Sequence, residues 1–521
     1  MRPIHIVATA LLLVAAISFA TPPETSPRIT DTVRIVRKTE PAVAAVFSQA
    51  DGRLSMGSGS VVHKDGYVLT NDHVVAGMGG VVLLRNHQLP LKYSIVGRMP
   101  EKDLCLLKVR ASKPLDFMRL GRSNDLMTGE PVLCAGNPGG RGIVYSSGIV
   151  SSPNFILSAP NALVMRSFGG DVRDRFIQFD AASNLGNSGG PLINVLGQQI
   201  GVVSNKNPEE ENINFAIPID RVRENLNELF SPEVRHGVFT GIDLDPLSQS
   251  AMIARVAKKS PAAKLGLRSG DYLKSVDGKP LESCLDWFAH LLDKKVGDEL
   301  ELTVSQGKKT KEVTLKLSKY PTPPLIEIKN PKPGLLFEVC HGTFEKAPTM
   351  EKQKVVKTGV AWALDVLAMG APKTNGFAIK LEGALKIPND GVYRLILNSD
   401  DGSILRTGKE ILVDNDGPHP AQDVGTLLRL KKGFLPIRID YFEATGDAEL
   451  NLFIENSAGQ RSDAAPLFFH EDSVPCDHRY TIDRLGSGYG YIRGCRHPTG
   501  ILHIHIVFEF DRSLCGSRDP H

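Results

Sequence analysis

The sequence predicts a mainly β chain divided into several domains. Three observations predict it. The chain has 521 residues, about twice what one hydrophobic core usually serves. From residue 35 onward it reads as short β-type runs broken by glycine-rich turns. Proline clusters at Pro321-Thr322-Pro323-Pro324 and Pro331-Lys332-Pro333-Gly334 mark a linker between unlike textures. Composition, at 41% hydrophobic and 23% charged, fits a globular protein. A net charge of +3 gives no electrostatic footprint for nucleic acid, and none is expected as a partner.

Residues 1–20 read as a signal peptide. Arg2 supplies the positive start, Ile6 to Phe19 the apolar run, and Ser18-Phe19-Ala20 the small residues of a cleavage site after Ala20. An uncleaved anchor is the competing reading. No later stretch reaches transmembrane length, so the mature protein is expected to be periplasmic or secreted.

Residues 35–228 form the first predicted domain. Val61-Val62, Tyr67 to Thr70, Val81 to Leu84, Leu104 to Val109, Val132 to Ala135, Ile149-Val150, Ile200 to Ser204 and Phe215 to Ile217 read as strands. So many short strands argue for a barrel or sandwich. A helix over Asp220 to Phe230 follows, capped by Asp220, with Val222, Leu226 and Leu229-Phe230 on one face. Residues 236–320 mix strand runs with a helix over Ser283 to Lys294. Alternating strands return over 335–470. Residues 471–521 are a basic, histidine-bearing tail whose one apolar run is Ile501 to Phe510.

The seven cysteines, Cys105, Cys134, Cys284, Cys340, Cys476, Cys495 and Cys515, form no dense disulfide framework. Cys105 and Cys134 lie in apolar strand runs and read as buried thiols. The last three offer a pair or a metal site, though their spacing fits no standard zinc pattern. His503 and His505 share one face of a strand-like run, which reads as a surface strand before a metal site.

Three segments carry chemistry. Thr70-Asn71-Asp72-His73-Val74-Val75 follows a strand, Lys102-Asp103-Leu104 opens one, and Gly186-Asn187-Ser188-Gly189-Gly190-Pro191 is a glycine turn before another. A hydroxyl nucleophile needs a base that titrates near neutrality, and histidine is that side chain. A carboxylate must fix the imidazole tautomer. Ser188 is therefore read as nucleophile, His73 as base and Asp103 as its orienting acid. The glycines leave room for the Gly186 and Ser188 amides to form an oxyanion hole, each donor lowering the barrier by roughly 3 kcal/mol. Asp72, next to His73, is given a surface or capping role. No cofactor is needed for this chemistry.

Together with Gly57-Ser58-Gly59-Ser60, Gly136-Asn137-Pro138, Ser147-Gly148-Ile149-Val150, Asp180-Ala181-Ala182 and Asn214-Phe215-Ala216-Ile217-Pro218, these motifs resemble the protease domain of the HtrA/Deg family of trypsin-like serine proteases. The resemblance implies a chymotrypsin-like double β-barrel and an endopeptidase acting on unfolded or damaged protein, often as a homo-oligomer. It puts Ala182, Ala216 and Ile217 in the specificity pocket, favouring small or medium apolar side chains. Ser183 and Leu185 depart from the family pattern of an aliphatic residue and proline. Asn187 replaces the aspartate through which digestive relatives switch on.

Phe239-Thr240-Gly241-Ile242, Ser260-Pro261-Ala262-Ala263 and Gly266-Leu267-Arg268-Ser269-Gly270-Asp271 resemble a PDZ domain. That implies capture of peptide C-termini on the loop of Phe239, Thr240, Gly241 and Ile242. A structural spacer is the plainer alternative. Phe377-Ala378-Ile379-Lys380, Ser399-Asp400-Asp401-Gly402-Ser403 and Ile437-Arg438-Ile439-Asp440 resemble the protective-antigen type β-sandwich. Lectin members bind calcium and sugar through the paired aspartates, which implies calcium at Asp400 and Asp401, with Asp414, Asn415 and Asp416 as helpers, and glycan as a partner. A capped turn is the competing reading of these residues. A rival for the whole chain is an inert envelope binding or adhesion protein that uses only its PDZ and β-sandwich modules.

Overall fold

The structure, a computed structural model, describes residues 25–50, 53–77, 79–156, 175–206, 213–347, 350–370, 376–446, 448–457, 459–471, 479–481, 489–496 and 502–509. Within 472–521 that description is of backbone alone. The signal-peptide reading, Cys476 and Cys515, and the pairing of the tail cysteines lie outside the described residues. The chain divides into two compact units, 1–230 and 231–521.

In the first unit, helix α1 (Asp31–Thr39) starts where the Thr30 hydroxyl accepts the Val33 amide at 3.3 Å. Six strands follow: β1 (Val43–Ala50), β2 (Arg53–His63), β3 (Tyr67–Thr70), β4 (Gly79–Leu84), β5 (Leu91–Met99) and β6 (Leu104–Val109). They close as β1-β2-β3-β6-β5-β4. Then come β7 (Pro131–Gly136), β8 (Val144–Ile156), β9 (Arg175–Phe179), β10 (Pro191–Asn194), β11 (Gln199–Lys206) and β12 (Asn214–Pro218). They close as β10-β11-β12-β9-β8-β7. Counted from its own first strand, the second barrel repeats the strand order of the first. Closure leaves no unpaired edge. The first barrel is filled by Val46, Val61, Val68, Cys105 and Leu107, the second by Val132, Cys134, Ile177, Phe179 and Leu192. Cys105 and Cys134 are free and buried, and burial pushes the Cys134 thiol up to about 12.

The expected helix Asp220–Phe230 is two short ones, α2 (Ile219–Glu224) and α3 (Leu226–Phe230). Asn225 breaks them, its side-chain amide donating to the Arg221 carbonyl at 2.7 Å. Asp220 is not the cap: Pro218 is. The Asp220 carboxylate instead accepts the Ser123 and Asn124 amides at 3.1 and 3.0 Å.

The second unit opens with helix α4 (Pro232–His236). Strands β13 (Val238–Phe239), β14 (Ile242–Leu244) and β15 (Ile253–Val256) follow, then α5 (Pro261–Lys264). Next come β16 (Tyr272–Val276), β17 (Lys279–Pro280) and α6 (Cys284–Leu291). Helix α6 begins at a reciprocal cap between Ser283 and Asp286 and stops short of Lys294. Strands β18 (Glu299–Gln306), β19 (Lys309–Lys316) and β20 (Ser318–Lys319) complete this part. Residues 331–471 build two antiparallel sheets of eight and four strands. Phe377–Ile387 runs fully paired against Gly433–Glu443. Leu381, Leu397, Leu405, Leu435, Ile439 and Leu452 pack between the sheets. In the tail, Arg479–Thr481, Tyr489–Arg496 and Leu502–Glu509 form a three-stranded antiparallel sheet, and His503 and His505 lie two apart on its last strand. Among the described residues no helix is long and apolar enough to cross a membrane.

Candidate active site

Strands β3 and β6 are barrel neighbours, with Thr70 opposite Cys105. The turn after β3 and the residue before β6 therefore meet, although 30 residues separate them. His73 sits in that turn. Asp103 sits at the start of β6 with φ 50°, after a 3-10 turn over Pro100–Lys102. His73 Nδ1 lies 2.8 and 3.0 Å from the two Asp103 oxygens, and the His73 backbone amide donates to Asp103 Oδ1 at 3.2 Å. A carboxylate facing Nδ1 puts the proton there and leaves the Nε2 lone pair to act as base. Burial works to lower the His73 pKa. The hydrogen bond and charge of Asp103 outweigh it and hold His73 above the usual histidine value.

Asp103 is 5% exposed and its backbone carbonyl accepts the Asn71 side-chain amide at 2.9 Å. Its Oδ2 accepts the Ser204 hydroxyl at 2.8 Å. Ser204 is a residue of this candidate site that the sequence reading did not select. It lies on β11, against which the nucleophile turn is docked by Gly189 N–H donating to the Val203 carbonyl at 2.7 Å. The Ser188 hydroxyl in turn donates to the Ser204 carbonyl at 3.0 Å. A hydroxyl has one proton to give, and Ser188 gives it to the Ser204 carbonyl.

The nucleophile turn is stitched to both barrels. The Ser58 amide on β2 donates to the Ser188 carbonyl at 2.8 Å, and the Ser58 hydroxyl donates to the Gly186 carbonyl at 2.6 Å. The Leu185 carbonyl accepts the Gly139 amide at 3.1 Å. In a trans peptide N–H opposes C=O, so the Gly186 N–H faces away from the Gly139 loop. Gly186 has φ +102°, and a Cβ there would lie 2.5 Å from the Asn137 carbonyl oxygen. No other residue type fits this turn. Leu185 is 93% exposed beside it.

Asp72 does not lie free at the surface. It is buried and forks onto Arg98 of β5, Nε and Nη2 donating at 2.6 and 2.9 Å. Burial raises its pKa against the opposing pull of Arg98. The reason is barrel closure: β6 pairs with both β3 and β5, which brings Arg98 beside the turn after β3. Of the specificity residues, Ala182 is exposed and its carbonyl accepts the Ser146 hydroxyl at 2.6 Å. Ala216 belongs to the second barrel's core and Ile217 is 1% exposed. Neighbours on a strand face opposite ways, so these two do not line one pocket together.

In the second unit, Phe239 ends β13, Ile242 starts β14, and Thr240 and Gly241 turn between them, Gly241 with φ +75°. Asp400 and Asp401 meet Glu443, a residue the sequence reading did not select, with one ligand atom of each within 4.8 Å of the others. Asp401 accepts the His419, Ala444 and Thr445 amides. Glu443 Oε2 accepts the Tyr441 hydroxyl at 2.7 Å, and its Oε1 is buried with no hydrogen-bond partner among the described residues. Burial, then the charges of Asp401 and Asp400, push Glu443 up to about 7 against the Tyr441 bond. Three crowded carboxylates with one orphaned oxygen fit a hard divalent cation. Asn415 and Asp416 are engaged elsewhere, with Gln422 and Ser399 and with the Ala347 amide, and Asp414 accepts the Asp416 amide.

Residues 57–202 match the model of a trypsin-like peptidase domain, 238–317 a PDZ domain and 332–462 a PA14 domain. A protein of Halomonas elongata named probable periplasmic serine endoprotease DegP-like is 32% identical over 287 residues, 52% of this chain and 58% of the relative. One of the same name from Pseudomonas savastanoi pv. phaseolicola is 33% identical over 284 residues, 51% and 56%. The chain thus spans a little over half the length of these relatives. Among solved structures, the HtrA-type protease AlgW with decapeptide matches at 26% identity and TM-score 0.33, over 57% of this chain and all of that one. The serine endoprotease from Yersinia pestis matches at 25% and 0.33, over 56% and 98%. The chain carries a trypsin-like peptidase domain, a PDZ domain and a PA14 domain, and over about half its length it is similar to DegP-like serine endoproteases.

Proposed function

We propose that the chain is an exported serine endopeptidase that cleaves unfolded or damaged protein in the periplasm or outside the cell. The observation that carries this reading is the linked set His73–Asp103–Ser204–Ser188, in which acid, base and nucleophile are each tied to a barrel strand. His73 takes the Ser188 proton as Ser188 attacks the scissile carbonyl. Asp103 steadies the imidazolium, and the Gly186 and Ser188 amides receive the oxyanion. The periplasmic names of the relatives support the location. The test is casein cleavage by the mature chain beside Ser188→Ala. Cleavage by the first and none by the second is expected. No cleavage by either moves the reading to an inert binding protein.

The PDZ domain, in this reading, delivers peptide C-termini, and the chain works as a homo-oligomer, which light scattering of the mature chain tests. The PA14 domain holds calcium at Asp400, Asp401 and Glu443 and meets glycan through it. Bound calcium would supply the positive charge the three carboxylates lack. Titration calorimetry with calcium should show one site per chain, lost in Asp400→Asn. A flat titration of the unsubstituted chain sinks the calcium site and leaves the protease reading untouched.

A further inference from the structure

The loop that the PDZ resemblance assigns to carboxylate capture already holds a carboxylate, and it comes from this chain. Glu233, on α4, accepts the Thr240 backbone amide at 3.0 Å and also the Thr240 hydroxyl. The Gly241 amide also donates to it. The third amide, Ile242 N–H, donates to Thr240 Oγ1 at 3.0 Å. All three amides of the loop are thus satisfied internally.

The geometry of the loop makes this an anion site. The Thr240 carbonyl accepts the Ala262 amide at 3.1 Å and the Gly241 carbonyl accepts the Ala257 amide at 2.9 Å. Both carbonyls are turned into the domain, which leaves successive N–H groups pointing out together, an arrangement that attracts negative charge. Gly241 is required there: φ is +75°, and a Cβ would strike the Ser260 side chain. Thr240 is fully buried under the contact. Helix α4 is held in place from the PA14 domain, where Arg429 donates to the Val234 and Arg235 carbonyls at 2.9 and 2.7 Å.

We infer that Glu233 is an internal ligand of the PDZ loop, a latch that an incoming C-terminal carboxylate must displace before the peptide can add as a strand. This rests on the peptide-capturing reading of the PDZ domain. The latch is held weakly enough to open. Burial pushes the Glu233 carboxyl up to about 7, against the Thr240 hydrogen bonds and with Asp243 adding repulsion. A folded-state value above the ordinary glutamate range means protonation as pH falls through 7. That converts charge-assisted bonds to weaker neutral ones, while a peptide's terminal carboxylate, with a pKa of about 3.5, stays charged. The other charged or titratable groups around the loop and α4 are Asp243 on β14, Arg255 on β15, Asp293 after α6, Tyr320 after β20, Glu410 near Tyr320, Arg429, and Arg235 and His236 on α4 itself. Burial lowers the His236 pKa, so its own charging falls later on the acid side.

The test uses the full mature chain carrying Ser188→Ala, so that nothing is cleaved. The probes are a pool of random hexapeptides with free C-termini and the same pool amidated. Glu233→Ala should retain about tenfold more of the free-acid pool than the parent at pH 8, and no more of the amidated pool. Arg429→Gln, which leaves every loop group in place but frees α4, should move the same way by a smaller factor. Retention by the parent should climb between pH 8 and 6, and that climb should vanish in Glu233→Ala. Equal retention by parent and both variants with no climb overturns the latch while peptide capture stands. Retention of the free-acid pool by none of them overturns both.

Discussion

Ser204 bonds to two members of the proposed catalytic set at once: its hydroxyl donates to Asp103 and its carbonyl accepts the Ser188 hydroxyl. The carbonyl is backbone and survives substitution; the hydroxyl does not. Ser204→Ala should therefore lower kcat/KM about tenfold with KM nearly unchanged, since Asp103 keeps its contacts with the His73 ring and backbone amide. Asp103→Asn should cost about ten-thousand-fold, because it presents a donor where the His73 proton must point. Steady-state kinetics on a short peptide substrate separates the two. The same contacts fix a pH dependence. His73 works as a base only when neutral, and Asp103 holds its pKa above the ordinary value. Activity should thus be gained as pH rises, with its half-maximum above about 6.5. In Ser204→Ala, Asp103 has one donor fewer and its charge is less spread, so the limb should move further up. A limb below the ordinary histidine value would contradict the assignment of His73 as base.

At the scale of elements, the turn after β3 is tied to β5, two strands away across β6, by an ion pair. Asp72 is buried and forks onto Arg98. Arg98→Leu should leave that carboxylate buried without its cation, at a cost of about 3 kcal/mol and a lower Tm. Replacing both, Asp72→Asn with Arg98→Leu, should recover part of the loss. Asp72 also marks where the sequence stops being informative. His73, Asp103 and Ser188 were legible because their chemistry demands those side chains next to strand ends and glycines. The strands were legible because β-branched runs alternate with turn residues. The role of Asp72 depends on Arg98, 26 residues away and brought near only by barrel closure. Ser204 contributes partly through a backbone carbonyl, which no residue type announces. Glu443 joins Asp400 and Asp401 only because the strand Gly433–Glu443 ends beside their loop. The break at Asn225 is a local competition between a side-chain amide and the helix, readable in retrospect but outweighed by the apolar stripe around it.

At the scale of the whole molecule, the two compact units divide the work. Both barrels are closed and carry their own cores, and every residue of the catalytic set lies before residue 230. The proposed reacting groups, His73, Asp103 and Ser188, all belong to the first unit. A chain ending after Phe230 should therefore still cleave a short peptide in a Ser188-dependent way, with kcat/KM within about threefold of the full chain, a change of roughly 0.65 kcal/mol in barrier. Full-length protein substrates are the informative contrast. With the PDZ loop latched by Glu233, the full chain at pH 8 gains little from its PDZ domain, so truncation should alter casein cleavage little as well. At pH 6 the latch is protonated and C-termini are captured, so the full chain should outpace the truncated one on casein while the short-peptide rates stay matched. A truncated chain faster than the full chain on both substrates at both pH values would mean that the second unit restrains the active site itself, a coupling that neither the catalytic geometry nor the latch requires.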